Sequence, residues 1–504
     1  MSHVHSPARI LLVALALGWS VDLLFYGKFL GLSFPLFVLL LMIALFGLGW
    51  REGVHPARRN IWLLAPLIFF ASTVFVRANP FLTFLNVVTS LTLLGLIAHF
   101  YAAGRPARLG LIGFPLVLLC TGGNALIRPA PLVSASVNLG VVRGRGGRNL
   151  MPVARGLLLA LPVLLLFTAL LASADLVFAR YVRDILTFDI RPDLLEWIGR
   201  GSIILISAWF LAGSLDYGLS RSAVSPEPGL LDRALDRLGR LVSLGFVEAA
   251  TLLTSVNVLF LSFVAVQFTY FFGGRANITF EGYTYAEYAR RGFFELVVVS
   301  VLTLGLILGL RELTRHETGQ RARVLNDLNS LMVGLVLVIL ASAFQRLRLY
   351  EAAYGYTQLR LYSHVFMVWL ALVFIWFLVT LWRQPDWFAI GAFVAVMGFL
   401  ATLNIINPDA FIVRQNLARY QATGKLDAYY LTTLSEDAVP ALVRALDQTS
   451  GDEQTVLGRH LDHRLQRMDG STRWRSWPSF HLARRRAYAL LAQHRAQLEQ
   501  WRRP

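Results

Sequence analysis

An all-α, polytopic membrane fold with about 11 to 12 spans and a small helical C-terminal domain is what this sequence predicts, and three observations carry that expectation. Of its 504 residues, 56% are hydrophobic and only 15% are charged, whereas a water-soluble domain carries about 25% charged residues. Mean hydropathy over the chain is +0.57. The apolar residues come in runs of about 20, the length an α-helix needs to cross the hydrocarbon core of a bilayer. The same composition excludes a disordered, collagen-like or disulfide-stapled chain, because Cys120 is the only cysteine and has no partner within the chain.

The apolar runs fall at about 10–26, 29–50, 61–76, 81–103, 109–127, 153–179, 199–219, 241–272, 293–313, 328–345, 363–382 and 386–404. The first contains Asp22 and lacks a small-residue cleavage site, so it reads as a retained span and not a removed signal peptide. The strongly basic short loops carry Arg51, Arg58 and Arg59, then Arg105 and Arg108, then Arg311, Arg315, Arg321 and Arg323. Basic short loops stay in the cytoplasm, which puts the N-terminus inside. The run 109–127 is interrupted by Pro115 and by Thr121, Gly122, Gly123 and Asn124. A full crossing there would place Arg143, Arg145, Arg148 and Arg155 outside, so a re-entrant hairpin is expected, its irregular backbone shielded by protein. Eleven full crossings then put the C-terminal region outside.

Hydropathy collapses after Asn404, which divides the chain into a transmembrane domain, 1–404, and a water-facing helical domain, 405–504. The latter holds 15 Lys or Arg against 10 Asp or Glu, a net +5. Asn407-Pro408 is a helix start, since Asn caps and Pro suits the first helical turn. Ser435 before Glu436 and Asp437 is another, and Ser476 or Ser479 starts the run from His481 to Gln500.

The net charge of +17 would suggest nucleic acid in a soluble protein. Here the basic residues sit mostly in short loops, where they set orientation and meet anionic headgroups. The expected partners are the lipid bilayer and an anionic or lipidic ligand, with no nucleic acid, and the expected place is a bacterial plasma (inner) membrane. No cofactor and no metal site is expected. Gly144-Arg145-Gly146-Gly147-Arg148 lacks the Lys and Ser/Thr of a phosphate-binding loop. His460 and His463 have no third ligand indicated, and Cys120 reads as an inert core thiol.

Ionisable groups inside spans are costly and are functional candidates. Asp22, His99 and Asp216 lie near run ends and read as structural, whereas Glu248, with Asn257 and Gln267 on the same run, reads as deeper. For Glu248 and Asn257 a functional pathway and a polar interhelical contact compete. Four stretches crowd charge and aromatic rings at span edges: Asp175 with Phe178; Glu287, Arg290, Arg291 and Glu295; Arg348, Tyr350, Tyr354 and Arg360; and Asn407, Asp409, Arg414 and Asn416. The topology places all four on the outer side. One reading is a single extracytoplasmic site in which arginines bind an anion bidentately between aromatic walls. The competing reading is an interfacial aromatic belt with Arg and Glu holding helix ends.

These four stretches, in this order, resemble the bacterial multi-pass membrane family described as domain of unknown function 4173, or its close relative 4153. The resemblance rests on Ser173-Ala174-Asp175, Gly292-Phe293-Phe294-Glu295-Leu296, Leu349-Tyr350-Glu351 to Tyr354-Gly355 with Thr357 and Arg360, and Asn407-Pro408-Asp409 with Arg414 and Asn416. Lys425-Leu426-Asp427, Tyr430-Leu431 and Trp474 to Trp477 before Arg484 to Arg486 also fit. It covers about residues 150–500 and implies a polytopic bacterial membrane protein without implying an activity. The first reading of the residues is a transporter-like envelope protein for an anionic or lipidic solute; the alternatives are a non-catalytic scaffold or sensor working through the C-terminal domain and, behind both, an enzyme on a lipid-linked substrate with Asp175, Glu287 or Glu295 as acid or base.

Overall fold

A computed structural model describes residues 6–106, 109–136, 175–186, 192–220, 244–272, 292–314, 318–383 and 387–502, together with 164, 167, 168 and 171. All regular structure among them is helical, and an isolated bridge joins Leu244 to Thr314. The helices of the membrane region are α1 (Pro7–Phe25), α2 (Ser33–Arg51), α3 (Leu64–Val76, preceded by a 3-10 turn, Arg58–Leu63), α4 (Pro80–His99), α5 (Gly113–Ile127), α6 (Pro129–Ser136), α7 (Leu176–Leu186), α8 (Pro192–Ser220), α9 (Phe246–Phe272), α10 (Phe293–Leu313), α11 (Gln320–Tyr354), α12 (Gln358–Trp382) and α13 (Phe388–Ile406). Eleven segments among the described residues are long and apolar enough to cross a bilayer. The protein is a multi-pass, all-α membrane protein.

The spans form two groups. In the first, α1 to α5 and α8 share one apolar core, with Leu67, Phe70, Leu93 and Leu96 at its centre. Gly18 lets α1 approach α8 so closely that a Cβ there would overlap the Ile204 carbonyl, the small-residue packing that brings helices together where lipid offers no hydrophobic drive. In the second, α9 to α13 pack around Val336, Ile339, Phe374 and Phe377. The groups meet through Phe114 stacked on Phe393 at 4.8 Å and through a reciprocal amide pair between Asn86 and Asn404, 2.9 and 2.8 Å.

Side-chain contacts fix which helix ends lie together. Asp22, near the end of α1, pairs with Arg200, near the start of α8, at 2.6 Å. His99, ending α4, meets the Tyr217 hydroxyl near the end of α8 at 2.8 Å. His99 and Arg200 therefore lie at opposite ends of the bundle, and the chain between them changes ends an odd number of times. Both the hairpin expected at 109–127 and a full crossing by Gly113–Ser134 bear on this, and the run 153–179 lies mostly outside the described residues. A helix break at Arg128, before Pro129, separates α5 from α6; Arg128 pairs with Asp216 at 2.9 Å. Cys120 is exposed on α5. It faces away from the core the sequence suggested for it, because Val117 and Thr121 take the buried side.

The C-terminal region forms α14 (Pro408–Thr423), α15 (Ala428–Thr432), α16 (Val439–Leu446), α17 (Gly451–Asp469), α18 (Leu482–Gln493) and α19 (Arg495–Glu499), with short 3-10 turns between them. Its core of Leu431, Leu442, Leu457, Leu461 and Leu491 is continuous with Leu82, Leu361, Val365 and Leu403 of the spans. The region is thus seated on one end of the bundle. The turns α1–α2, α3–α4 and α11–α12 lie at that end, while Arg51, Arg58, Arg59, Arg105, Arg311, Arg321 and Arg323 lie at the other.

Candidate functional site

Where the C-terminal region meets the bundle, a buried polar cluster is assembled from four turns. It starts from two Asn-Pro helix starts of the same form. Asn79 caps α4, its side chain accepting from the Leu82 N–H at 3.1 Å, and Asn407 caps α14, accepting from Ala410. Proline at the first helical position removes a backbone donor that would otherwise go unpaired. Asn407 takes a left-handed conformation, φ 56°, a region that asparagine tolerates better than most side chains, and this lets α13 turn directly into α14.

Asp409, in the first turn of α14, is fully buried. Its Oδ1 accepts from Asn79 Nδ2 at 3.1 Å and Gln358 Nε2 at 2.6 Å; its Oδ2 accepts from Asn79 Nδ2 at 3.1 Å and the Ser435 N–H at 3.0 Å. The carboxylate thereby holds together the starts of α4, α12 and α14 and the turn before α16. A buried charge without such donors would cost several kcal/mol, and the N-terminal dipole of α14 adds to its stabilisation. Asp437 repeats the arrangement from the C-terminal side: its Oδ2 accepts from the Ala78 N–H at 2.6 Å and the Asn79 N–H at 3.2 Å, with Arg77 at 3.9 Å. Burial pushes the Asp437 carboxyl up to about 6. Arg77 Nε donates to the Asn404 carbonyl at 2.7 Å, and His481, buried and lowered by that burial to about 4, lies 3.2 Å from the Arg77 carbonyl.

Beside this cluster, Arg360 stacks over the Tyr350 ring at 4.0 Å and donates to the Gly355 carbonyl; Tyr354 packs edge-on against Tyr350 at 5.2 Å and Phe293 lies 6.3 Å away. Asn416 clasps the Tyr356 backbone in both directions at 2.8 Å, and Arg419 donates to the Ala352 and Ala353 carbonyls that end α11. Behind them Glu351, 1% exposed, meets His364 of α12 at 3.0 Å.

The structure therefore brings together part of the expected site: Tyr350, Tyr354 and Arg360, Asn407, Asp409 and Asn416, with Glu295 exposed in the first turn of α10 near Phe293. Arg348 is exposed, and Arg414 lines a shallow groove with Arg444. Asp175 caps α7, accepting from the N–H groups of Val177 and Phe178 at 2.7 and 2.8 Å. Glu287, Arg290 and Arg291 lie outside the described residues.

Glu248 is not deep in a span. α9 starts at Phe246, so Glu248 stands exposed in its first turn, where its carboxylate accepts the Gly245 N–H. Asn257 is buried and donates to the Leu328 carbonyl of α11 at 3.0 Å, and Gln267 bonds Ser342 of the same helix at 3.0 Å. Both are interhelical contacts. Asp462, between His460 and His463, is engaged by Arg502 and Gln466. Asn79, Gln358, Asp437 and the Glu351–His364 pair were not anticipated. Asn79-Pro80 carries a readable signal, the same helix-start dipeptide as Asn407-Pro408, while in the sequence Asp437 is only an acid that follows the Ser435 helix start.

The family model described as Domain of unknown function (DUF4153) matches residues 64–445. The chain belongs to this family. Of the two related families that the motifs resemble, DUF4153 is the one matched, and the match starts at residue 64, not near 150. α3, α4 and the Asn79 cap thus fall inside the family unit along with Asp409 and Asp437, whereas Trp474 to Trp477 and Arg484 to Arg486 follow it. No curated protein and no solved structure matches the chain.

Proposed function

We propose that the chain is a non-catalytic scaffold or sensor of the bacterial plasma membrane that works through its C-terminal domain on the extracytoplasmic side. The observation that carries this reading is Asp409, a buried carboxylate whose donors come from two interspan turns and from the C-terminal domain itself. A load or ligand on the domain is passed to the ends of α4 and α12 through hydrogen bonds to a charge, which are among the stronger ones proteins make. The basic turns at the opposite end favour a cytoplasmic position for that end. The net positive C-terminal domain does not count against this, since segments beyond about 60 residues cross largely regardless of charge.

The test is hydrogen–deuterium exchange on the full chain in nanodiscs, comparing it with Asp409→Asn. Coupling predicts that exchange rises together in residues 77–80, in 354–358 and in the C-terminal domain. A rise confined to the domain sinks the reading.

A second reading, a proton-coupled carrier for an anionic or lipidic solute, is favoured by the buried Glu351–His364 pair beneath the Arg360–Tyr350 stack. It requires that proteoliposomes acidify when an anion gradient is imposed and that His364→Gln abolishes the flux. An enzyme on a lipid-linked substrate would need Glu287 or Glu295, and normal turnover in Glu287→Gln and Glu295→Gln would remove it.

A further inference from the structure

The turn between α1 and α2, residues 26–32, joins two spans of 19 residues each, so it lies at the bilayer surface by necessity. The C-terminal domain is hydrogen-bonded to that turn: Leu32 N–H donates to the Phe480 carbonyl at 2.8 Å and Phe29 N–H to Ser479 Oγ at 3.1 Å. The loop before α18 is therefore held at the same depth, although it is more than 400 residues further along the chain. At that level Trp477 is 58% exposed, with Phe29 and Leu30 exposed beside it at 44% and 42%. Around them stand cations. Arg484 stacks over the Phe29 ring at 5.4 Å with its Nη1 buried and unpartnered, Arg485 is exposed, and Lys28 follows in the turn itself. Among the described residues neither Arg484 nor Arg485 is in an ion pair.

From this juxtaposition we infer that Trp477, Phe29 and Leu30 with Lys28, Arg484 and Arg485 form a docking surface for anionic phospholipid headgroups, which anchors the C-terminal domain to the leaflet it faces. Tryptophan concentrates at the headgroup level because its ring is amphipathic. A guanidinium exposed at the headgroup level, as that of Arg485 is, is matched by a phosphate, which accepts two of its donors at once. The surface adds to the clasp around Asp409 without depending on it, since it uses a different turn of the bundle.

The experiment uses the full chain in discs of phosphatidylcholine, alone or mixed in equal parts with phosphatidylglycerol. The emission of Trp477 is isolated as the difference between the native chain and Trp477→Phe. Lipids brominated near the headgroup are expected to quench that difference, and iodide in the water is expected not to. Association of spin-labelled phosphatidylglycerol, relative to phosphatidylcholine, is measured in parallel. A cation near an anionic surface is worth about fivefold in binding, so Arg484→Gln with Arg485→Gln should lose at least that much of the preference. Quenching by iodide in the native chain overturns the proposal without any charge variant, and an unchanged lipid preference in a double variant of native helicity overturns it as well.

Discussion

The Asn79 amide nitrogen stands 3.1 Å from both carboxylate oxygens of Asp409, 330 positions away in the chain. Each residue is the capping or first-turn residue of its own helix, so the contact locks two helix starts face to face. Asp409→Asn puts an NH2 group where one oxygen now faces donors from Asn79, Gln358 or Ser435, leaving at least one buried donor unmet. The expected cost is about 2–3 kcal/mol. Limited proteolysis of the full chain should show the C-terminal region released from the bundle before the spans unfold.

Two buried groups in the same interface respond to acid in opposite directions. Asp437, raised to about 6, binds protons more readily folded than unfolded. Its contribution is complete below the unfolded value near 4 and is lost as pH rises through 6. His481, lowered to about 4, binds protons less readily folded. Its contribution is present above the unfolded value near 6.5 and is lost as pH falls through 4. The groups around Asp437 are Arg77, Asp409 and the Ala78 and Asn79 N–H; those around His481 are Arg484 and the Arg77 and Val74 carbonyls. Between pH 6.5 and 4 the two effects oppose each other. Asp437→Asn should therefore make docking steeply acid-labile, and His481→Gln should make it firmer on acidification. Thermal release of the C-terminal region, followed from pH 7 to pH 4, separates the two slopes, and parallel curves would refute the assignment.

How much of this arrangement the sequence disclosed follows from physical range. The spans are written locally, because about 20 apolar residues in a row have few alternatives to a membrane helix. Asn407, a local cap, was legible for the same reason. Asp409 and Asn416 were legible as members of a crowded stretch, but their partners Asn79 and Tyr356 were not, since those contacts are made by tertiary packing. Glu248 was misplaced because a sliding apolar window cannot locate the first turn of a helix; the break at Gly245, with its N–H taken by Glu248, decides that α9 begins at Phe246. Asp437 looked like a helix-start acid, and only the approach of Ala78 and Asn79 gives its carboxylate a second role.

The left-handed residue between α13 and α14 tests how that junction is built. Asn407→Ala removes the side-chain acceptor for the Ala410 N–H and keeps a Cβ at φ 56° without the short polar side chain that makes asparagine tolerant of that region, so it should cost about 1–2 kcal/mol. Asn407→Gly loses the acceptor but relieves the backbone, and a glycine cap gives up only a few tenths of a kcal/mol. The order expected in thermal unfolding is Asn, then Gly, then Ala. Equal loss in the two variants would show that the cap, and not the backbone conformation, dominates.

Glu248 and Asn257 share α9 but answer differently to substitution. Glu248 is exposed and interacts with its own helix start, where a negative charge contributes about 0.3–1 kcal/mol. Glu248→Gln should stay within that range in detergent thermal unfolding and leave the lipid preference of the chain unchanged. Asn257→Leu removes the bond to the Leu328 carbonyl, a contact that in membranes averages about 0.6 kcal/mol. It also removes a buried Oδ1 without a partner, which offsets part of the loss. The two variants should therefore lie close together, each below about 1 kcal/mol in cost. A collapse of the α9–α11 pairing in Asn257→Leu, read as a new protease site near residue 328, would show that this single amide organises the second group of spans.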